Sequence, residues 1–189
     1  KAVVTLLDAD GNPAEDGTGH LADAQIPAAA PATGFDADTE TWTERKPTTS
    51  VEIKGDTAFA VSWTEGSYGY IVNYHYDNAV ETVTGAAKFR EPIPYDTARK
   101  PEKAEGSFIY ERTVGEGKTV AADSKDNVVD VYFTLDNVGT DPENPDVPDN
   151  VPDKYQATVT YTATNGTVSL GKAVVTLLDA DGNPAEDGT

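Results

Sequence analysis

The sequence predicts a mostly β protein, α+β at most. Three observations carry this. Apolar residues recur with a period of two in several short runs, helical periodicity is scarce, and Gly (16) and Pro (12) punctuate the chain with turns.

Taken in order, the first run is Ala2–Leu7 (AVVTLL), a short apolar β-branched stretch. His20–Pro31 is Ala-rich, but Pro27 and Pro31 limit it to a turn or two of helix. Thr57–Trp63 (TAFAVSW) alternates, placing Phe59, Val61 and Trp63 on one face. Tyr70–Tyr76 (YIVNYHY) sets Tyr70, Val72, Tyr74 and Tyr76 against Ile71, Asn73 and His75. Residues 97–105 are polar and carry Pro101, so short helix at most is expected there. Asn127–Leu135 (NVVDVYFTL) and Tyr155–Tyr161 (YQATVTY) alternate again. Turns are expected at Asp10-Gly11-Asn12, Gly115-Glu116-Gly117 and Asn165-Gly166. Residues 136–154 (DNVGTDPENPDVPDNVPDK) hold Pro142, Pro145, Pro148 and Pro152, which leaves no room for helix or central strand. That composition predicts a stiff, extended linker over 137–154.

The chain opens and closes on the same 18 residues. KAVVTLLDADGNPAEDGT spans 1–18 and again 172–189, an offset of 171. An identity of this length marks a tandem repeat seen through a window slightly longer than its period. The absence of methionine, at position 1 as elsewhere, is expected of an internal or processed piece. The second copy follows the 155–161 strand and the Asn165-Gly166 turn. The domain map is therefore 1–65 as a module lacking its first strand, 66–136 as a second module, 137–154 as linker, and 155–189 as the start of the next copy of the first module.

Composition narrows the function. Lys and Arg number 14 against 33 Asp and Glu, a net charge of −19. This favours solubility, repels nucleic acid and anionic membrane, and attracts cations. With no cysteine, disulfides, thiol catalysis and Cys-based zinc sites are excluded. No apolar run approaches the roughly 18 residues that span a bilayer, and no signal peptide is seen.

Joining YQATVTYTATNGTVS (155–169), the 1–18 segment, IPAAAPATGFDADTETWT (26–43) and KGDTAFAVSW (54–63) gives a unit that resembles the Listeria–Bacteroides (internalin B) type repeat. Gly34-Phe35, Trp42 and Asp56-Thr57 fit its plan. Residues 66–136 resemble MucBP-like repeats through YIVNYHYD (70–77), VTGA (83–86), IPY (93–95) and NVVDVYFTLDN (127–137). The resemblance implies two small β-grasp-like modules joined end to end, from the repeat region of a Gram-positive cell-surface adhesin. It implies an extracellular stalk or fibre that partners neighbouring copies of itself, and no catalytic residues. Such stalks are often anchored by sortase, though no LPxTG-like motif is present in the chain.

Asp141, Asn144, Asp146, Asp149 and Asp153, with Glu143 and Asn150, supply hard oxygens of the kind calcium takes six to eight of. The prolines resist wrapping around an ion, so a charged spacer is the favoured reading. Asp8, Asp10, Asn12 and Asp16 superficially match a calcium loop but lack its spaced Glu, which favours a hairpin corner. Trp63, Tyr68 and Tyr70 are candidates for contacting a glycan or host protein; the competing reading is cross-strand packing. His20 and His75 lack evident catalytic partners, and no phosphate loop or nucleophile elbow appears, so no enzyme is expected. Lys88, Lys118 and Lys172 are candidates for the isopeptide bonds of cysteine-free surface repeats. A third reading is polymerisation by strand donation. A strand of 155–169 from another chain would complete the 1–65 module.

Overall fold

The computed structural model describes residues 3–15, 18–77, 79–181 and 183–185. It is mostly β, with several small sheets and, among the described residues, no helix of seven residues or more. The chain divides into two compact units, Lys1–Ser67 and Tyr68–Thr189.

The first unit is built from short pairings. β1 (Thr18–His20) runs antiparallel to β3 (Glu52–Lys54), and β2 (Thr41–Trp42) antiparallel to β4 (Val61–Ser62). Of the expected Thr57–Trp63 strand only β4 forms, because Thr41 and Trp42 alone face it. The Ala-rich stretch contributes one 3-10 turn, Asp23–Gln25. A second, Ala37–Thr39, is capped by Asp36, whose carboxylate accepts from the Asp38 N–H at 3.0 Å. Among large apolar side chains described in this unit, Leu21 and Ile53 are buried, which makes a thin core.

The second unit holds a four-stranded mixed sheet in the order β6-β5-β8-β7. Its strands are β5 (Ser67–Tyr76), β6 (Ala79–Lys88), β7 (Phe108–Val114) and β8 (Val128–Leu135). The central pair β5–β8 is parallel, with Val72 opposite Val129 and Tyr74 opposite Val131; β7 runs antiparallel to β8. The predicted alternation sets the core. Val72, Tyr74, Tyr76, Val129, Val131 and Phe133 point to one face. Tyr76 stacks on Phe133 at 4.9 Å, and burial pushes its phenol up to about 12. Residues 97–105 form no helix. The face is instead covered by two irregular segments that pair with each other. The Ile93 N–H donates to the Lys118 carbonyl (3.0 Å) and the Val120 N–H to the Glu91 carbonyl (2.8 Å), which seats Ile93 and Val120 on the sheet. Asn127, fully buried, ties this cover down. Its carboxamide accepts from the Ala121 N–H (2.7 Å) and donates to the carbonyls of Ala121 (2.9 Å) and Gly69 (3.0 Å).

Residues 136–154 are not an extended linker. They fold back into a loop within the second unit. The buried Asp136 carboxylate accepts from the N–H groups of Asp149 (3.2 Å) and Asn150 (3.0 Å). Asp153 accepts from those of Asn137 (2.8 Å) and Val138 (3.2 Å). Asp149 accepts from Thr140 N–H (2.9 Å), and the Gly139 N–H reaches the Pro145 carbonyl (3.1 Å). Proline removes donors, but the remaining backbone N–H groups here find carboxylates, and these close the loop. A 3-10 turn, Asp153–Tyr155, then leads into β9 (Gln156–Thr160), which pairs antiparallel with β10 (Lys172–Thr176).

Candidate functional site

The two copies of the repeated segment build the same corner. In the first, Asp8 N–H donates to the Asn12 carbonyl (2.8 Å) and Ala14 N–H to the Leu6 carbonyl (2.9 Å). In the second, Asp179 N–H donates to Asn183 (2.8 Å) and Ala185 N–H to Leu177 (2.9 Å). The Asp8 carboxylate accepts from the N–H groups of Asp10 (2.9 Å) and Asn12 (2.8 Å), and Asp179 does the same for Asp181 (2.9 Å) and Asn183 (2.9 Å). The aspartate is spent on its own turn, an Asx-type arrangement, and Gly11 supplies the left-handed residue at φ 83°. Asp16 lies outside the described residues.

The copies differ in what precedes the corner. Lys172–Thr176 is a strand because β9 pairs with it, and Leu177 N–H extends the ladder to the Tyr155 carbonyl (2.8 Å). Among the described residues, 3–6 form no strand, and of this stretch Leu7 bridges, to His20 and Pro13. Val174 is 3% exposed and its equivalent Val3 is 99% exposed. Thr5 accepts from Gln25 Nε2 (3.0 Å) on the β1 side, and among the described residues no hydrogen bond reaches the backbone of Val4 or the N–H of Leu6.

A groove of about 950 Å³ lies beside this unpaired segment, wholly within the first unit. Val3, Val4 and Leu6 line one wall, and Leu21, Trp42, Ile53, Phe59 and Val61 line the rest. Trp42 Nε1 donates to Glu40 Oε1, which sits 2.9 Å from Lys46 Nζ; these two contacts hold the Glu40 carboxyl below its ordinary value.

The other candidates are placed as follows. Trp63 belongs to the first unit and is half-buried. Tyr68 and Tyr70 belong to the second, half-buried against its core. Tyr68 meets Phe89 edge-on at 6.3 Å, and the Tyr70 ring covers Gly85, where a Cβ would collide with it. Among the described residues no three of His, Cys, Asp and Glu gather around a point that would hold a metal. Asp149 and Asp153 face backbone N–H groups instead. Burial raises the Asp149 carboxyl, but donors from Thr140, Val151 and Gln156 outweigh it and hold it low. Asp141 is occupied by Asn144 and Glu143 N–H. Lys118 Nζ donates to the Val128 carbonyl (3.3 Å), while Lys88 and Lys172 are exposed.

Two arrangements were not foreseen. His75 does have a partner, Asp130 at 2.9 Å, with Asn73 also on that carboxylate (3.0 Å) and Tyr132 stacked on the imidazole at 4.3 Å. Period-two spacing set His75 against Tyr74 and Tyr76 but did not show that β5 and β8 are parallel neighbours. Glu81 is buried and accepts from Glu102 N–H (2.6 Å) and Lys103 N–H (2.9 Å), with Arg99 3.6 Å away. The groove is half legible in the sequence, since alternation sets Phe59 and Val61 on one face and AVVTLL is apolar. No family model, no curated protein and no solved structure matches the chain.

Proposed function

We propose that this chain is a repeating structural module of an extracellular stalk or fibre on the surface of a Gram-positive bacterium, where it provides reach and performs no reaction. The observation that carries the reading is the doubled segment. Identical sequence 171 residues apart folds into the same hydrogen-bonded corner, as repeat units joined in series would. The strand order β6-β5-β8-β7 around a parallel central pair supports a β-grasp-like second module, with the paired segments near Ile93 and Val120 in place of a helix. The charge of −19 suits a surface fibre that must stay hydrated and unaggregated.

The test is the denatured mass of the native material. A species several repeats long, whose stained images show beads at the 171-residue period, is expected. A single 20.0 kDa chain would remove the tandem reading.

A further inference from the structure

We propose that the unpaired segment Val3–Leu6 and its adjoining groove are a strand-acceptor site, and that the occupant is the β9-type strand of a second copy of this repeat joined ahead of residue 1. The inference rests on the repeat reading, but its argument comes from the second copy. There the same residues are paired in a defined register, Val174 opposite Thr158, Val175 opposite Ala157 and Thr176 opposite Gln156. Carried back by 171 residues, Val3 faces Thr158, Val4 faces Ala157 and Thr5 faces Gln156. Leu177 N–H bonds the Tyr155 carbonyl, so Leu6 N–H takes that carbonyl in turn.

The polarity of the free edge agrees. In an antiparallel ladder, alternate residues turn both backbone groups toward the partner. The even-numbered residues Val4 and Leu6 face the donor side. The odd-numbered Thr5 and Leu7 face the other side, where Gln25 and His20 already engage them. On the side the register requires, Val4 and the Leu6 N–H are open, while the Leu6 carbonyl is held by Ala14 as that of Leu177 is by Ala185. The groove then receives apolar side chains from the incoming strand against Trp42, Phe59 and Val61, the mode in which main-chain bonds give affinity and pockets give selectivity.

Counting strands selects the source. Each chain holds one β9 and two acceptor segments, and β9 already fills the second. A separate chain that donated its β9 would uncover its own Val174, so exchange gains no pairing. A copy joined in tandem supplies one donor per acceptor.

The experiment uses the 189-residue protein and a fluorescent peptide of residues 154–171. Saturable binding with a Kd below about 1 mM is expected, with amide exchange at Val4 and Leu6 slowed at least about tenfold toward the rates at Val175 and Leu177. The peptide carrying Ala157→Pro, which lacks the N–H aimed at Val4, should lose binding. Fusing residues 154–171 ahead of Lys1 should abolish peptide binding. Absent saturation, equal binding by the Pro peptide, or protection away from Val4 and Leu6 would overturn the site. Competition by the intact chain at peptide-like concentrations would overturn the tandem source. A multi-repeat native mass without peptide binding sinks this inference alone; peptide binding with a single-repeat mass sinks the stalk and the tandem occupant and leaves only the acceptor groove.

Discussion

The two valines that occupy equivalent positions in the repeat make an internal control. Val174 is 3% exposed and Val3 is 99% exposed, so truncation to alanine should cost very different amounts. Val→Ala removes two carbons. At about 0.8 kcal/mol per buried methylene the Val174 change loses about 1.6 kcal/mol, and the unfilled space raises this to about 2–3 kcal/mol. The Val3 change loses nothing from burial and should stay within about 0.5 kcal/mol. The gap, about 2 kcal/mol, is roughly a thirtyfold difference in opening equilibrium. Global tryptophan fluorescence is the wrong assay, because Trp42 and Trp63 both lie in the first unit. Native-state amide exchange read at Val175 and Leu177 reports the right strand. Val174→Ala should raise exchange there roughly thirtyfold, and Val3→Ala should leave its own surroundings unchanged. Equal effects at the two sites would refute the claim that the same sequence is a strand in one place and an open edge in the other. With the 154–171 peptide bound, Val3→Ala should acquire a cost and weaken peptide affinity by roughly tenfold, about 1.4 kcal/mol.

Three further outcomes are expected. Asn127→Ala empties a fully buried position and leaves one part-buried N–H and two carbonyls without their partner, and should lower the stability of the second unit by about 2–4 kcal/mol in urea unfolding; a loss below about 1 kcal/mol would mean water replaces the carboxamide. Burial opposes ionisation of Glu81, but the N–H donors of Lys103 and Glu102 with Arg99 outweigh it, so its folded pKa lies below the ordinary 4.5. Its contribution is therefore complete above pH 4.5 and lost as pH falls through the folded value. Glu81→Gln should flatten that acid limb in pH-dependent melting, and an unchanged limb would contradict the assignment. Asp136→Ala strands the N–H groups of Asp149 and Asn150, should cost about 2–3 kcal/mol, and should make residues 140–150 the first site of limited proteolysis.

What the sequence disclosed and what it hid divide along one physical line. β5 and β8 were legible because their buried faces carry Val, Tyr and Phe in strict alternation. β6 was not, because its inward face reads Glu81, Val83, Gly85, Ala87 while Val80 points out, 54% exposed. A buried glutamate makes sense only once Glu102 and Lys103 deliver their N–H groups from a distant loop. Gly85 makes sense only once Tyr70 lies over it. The Pro-rich segment misled for a related reason. Proline was counted as a constraint toward extension, whereas the decisive groups were Asp136, Asp149 and Asp153 as acceptors for chain far from them in sequence. Candidate sites fared likewise. Asp141, Asp149 and Asp153 were visible, but the groups that bond their carboxylates were not.

The pairing of β9 also bears on how a stalk of such units would transmit load. β9 is rooted in the second unit. Gln156 Nε2 donates to Asp149 (3.0 Å), and Lys154 Nζ lies 2.9 Å from Glu111 on β7. Its other edge pairs with the repeated segment. In a tandem array each β9 therefore belongs to two neighbours at once, one through side chains and one through a backbone ladder. Stability in such an array is a sum of unit terms and nearest-neighbour terms. The first unit, with two-stranded sheets and a thin core, falls in the range where isolated stability is marginal. In such an array its share would come from the neighbour term, which is the term that an open Val3–Leu6 edge lacks. Adding one β9 strand ahead of residue 1 should therefore stabilise the first unit far more than the second, and it is the first unit, through Trp42 and Trp63, that reports itself by fluorescence.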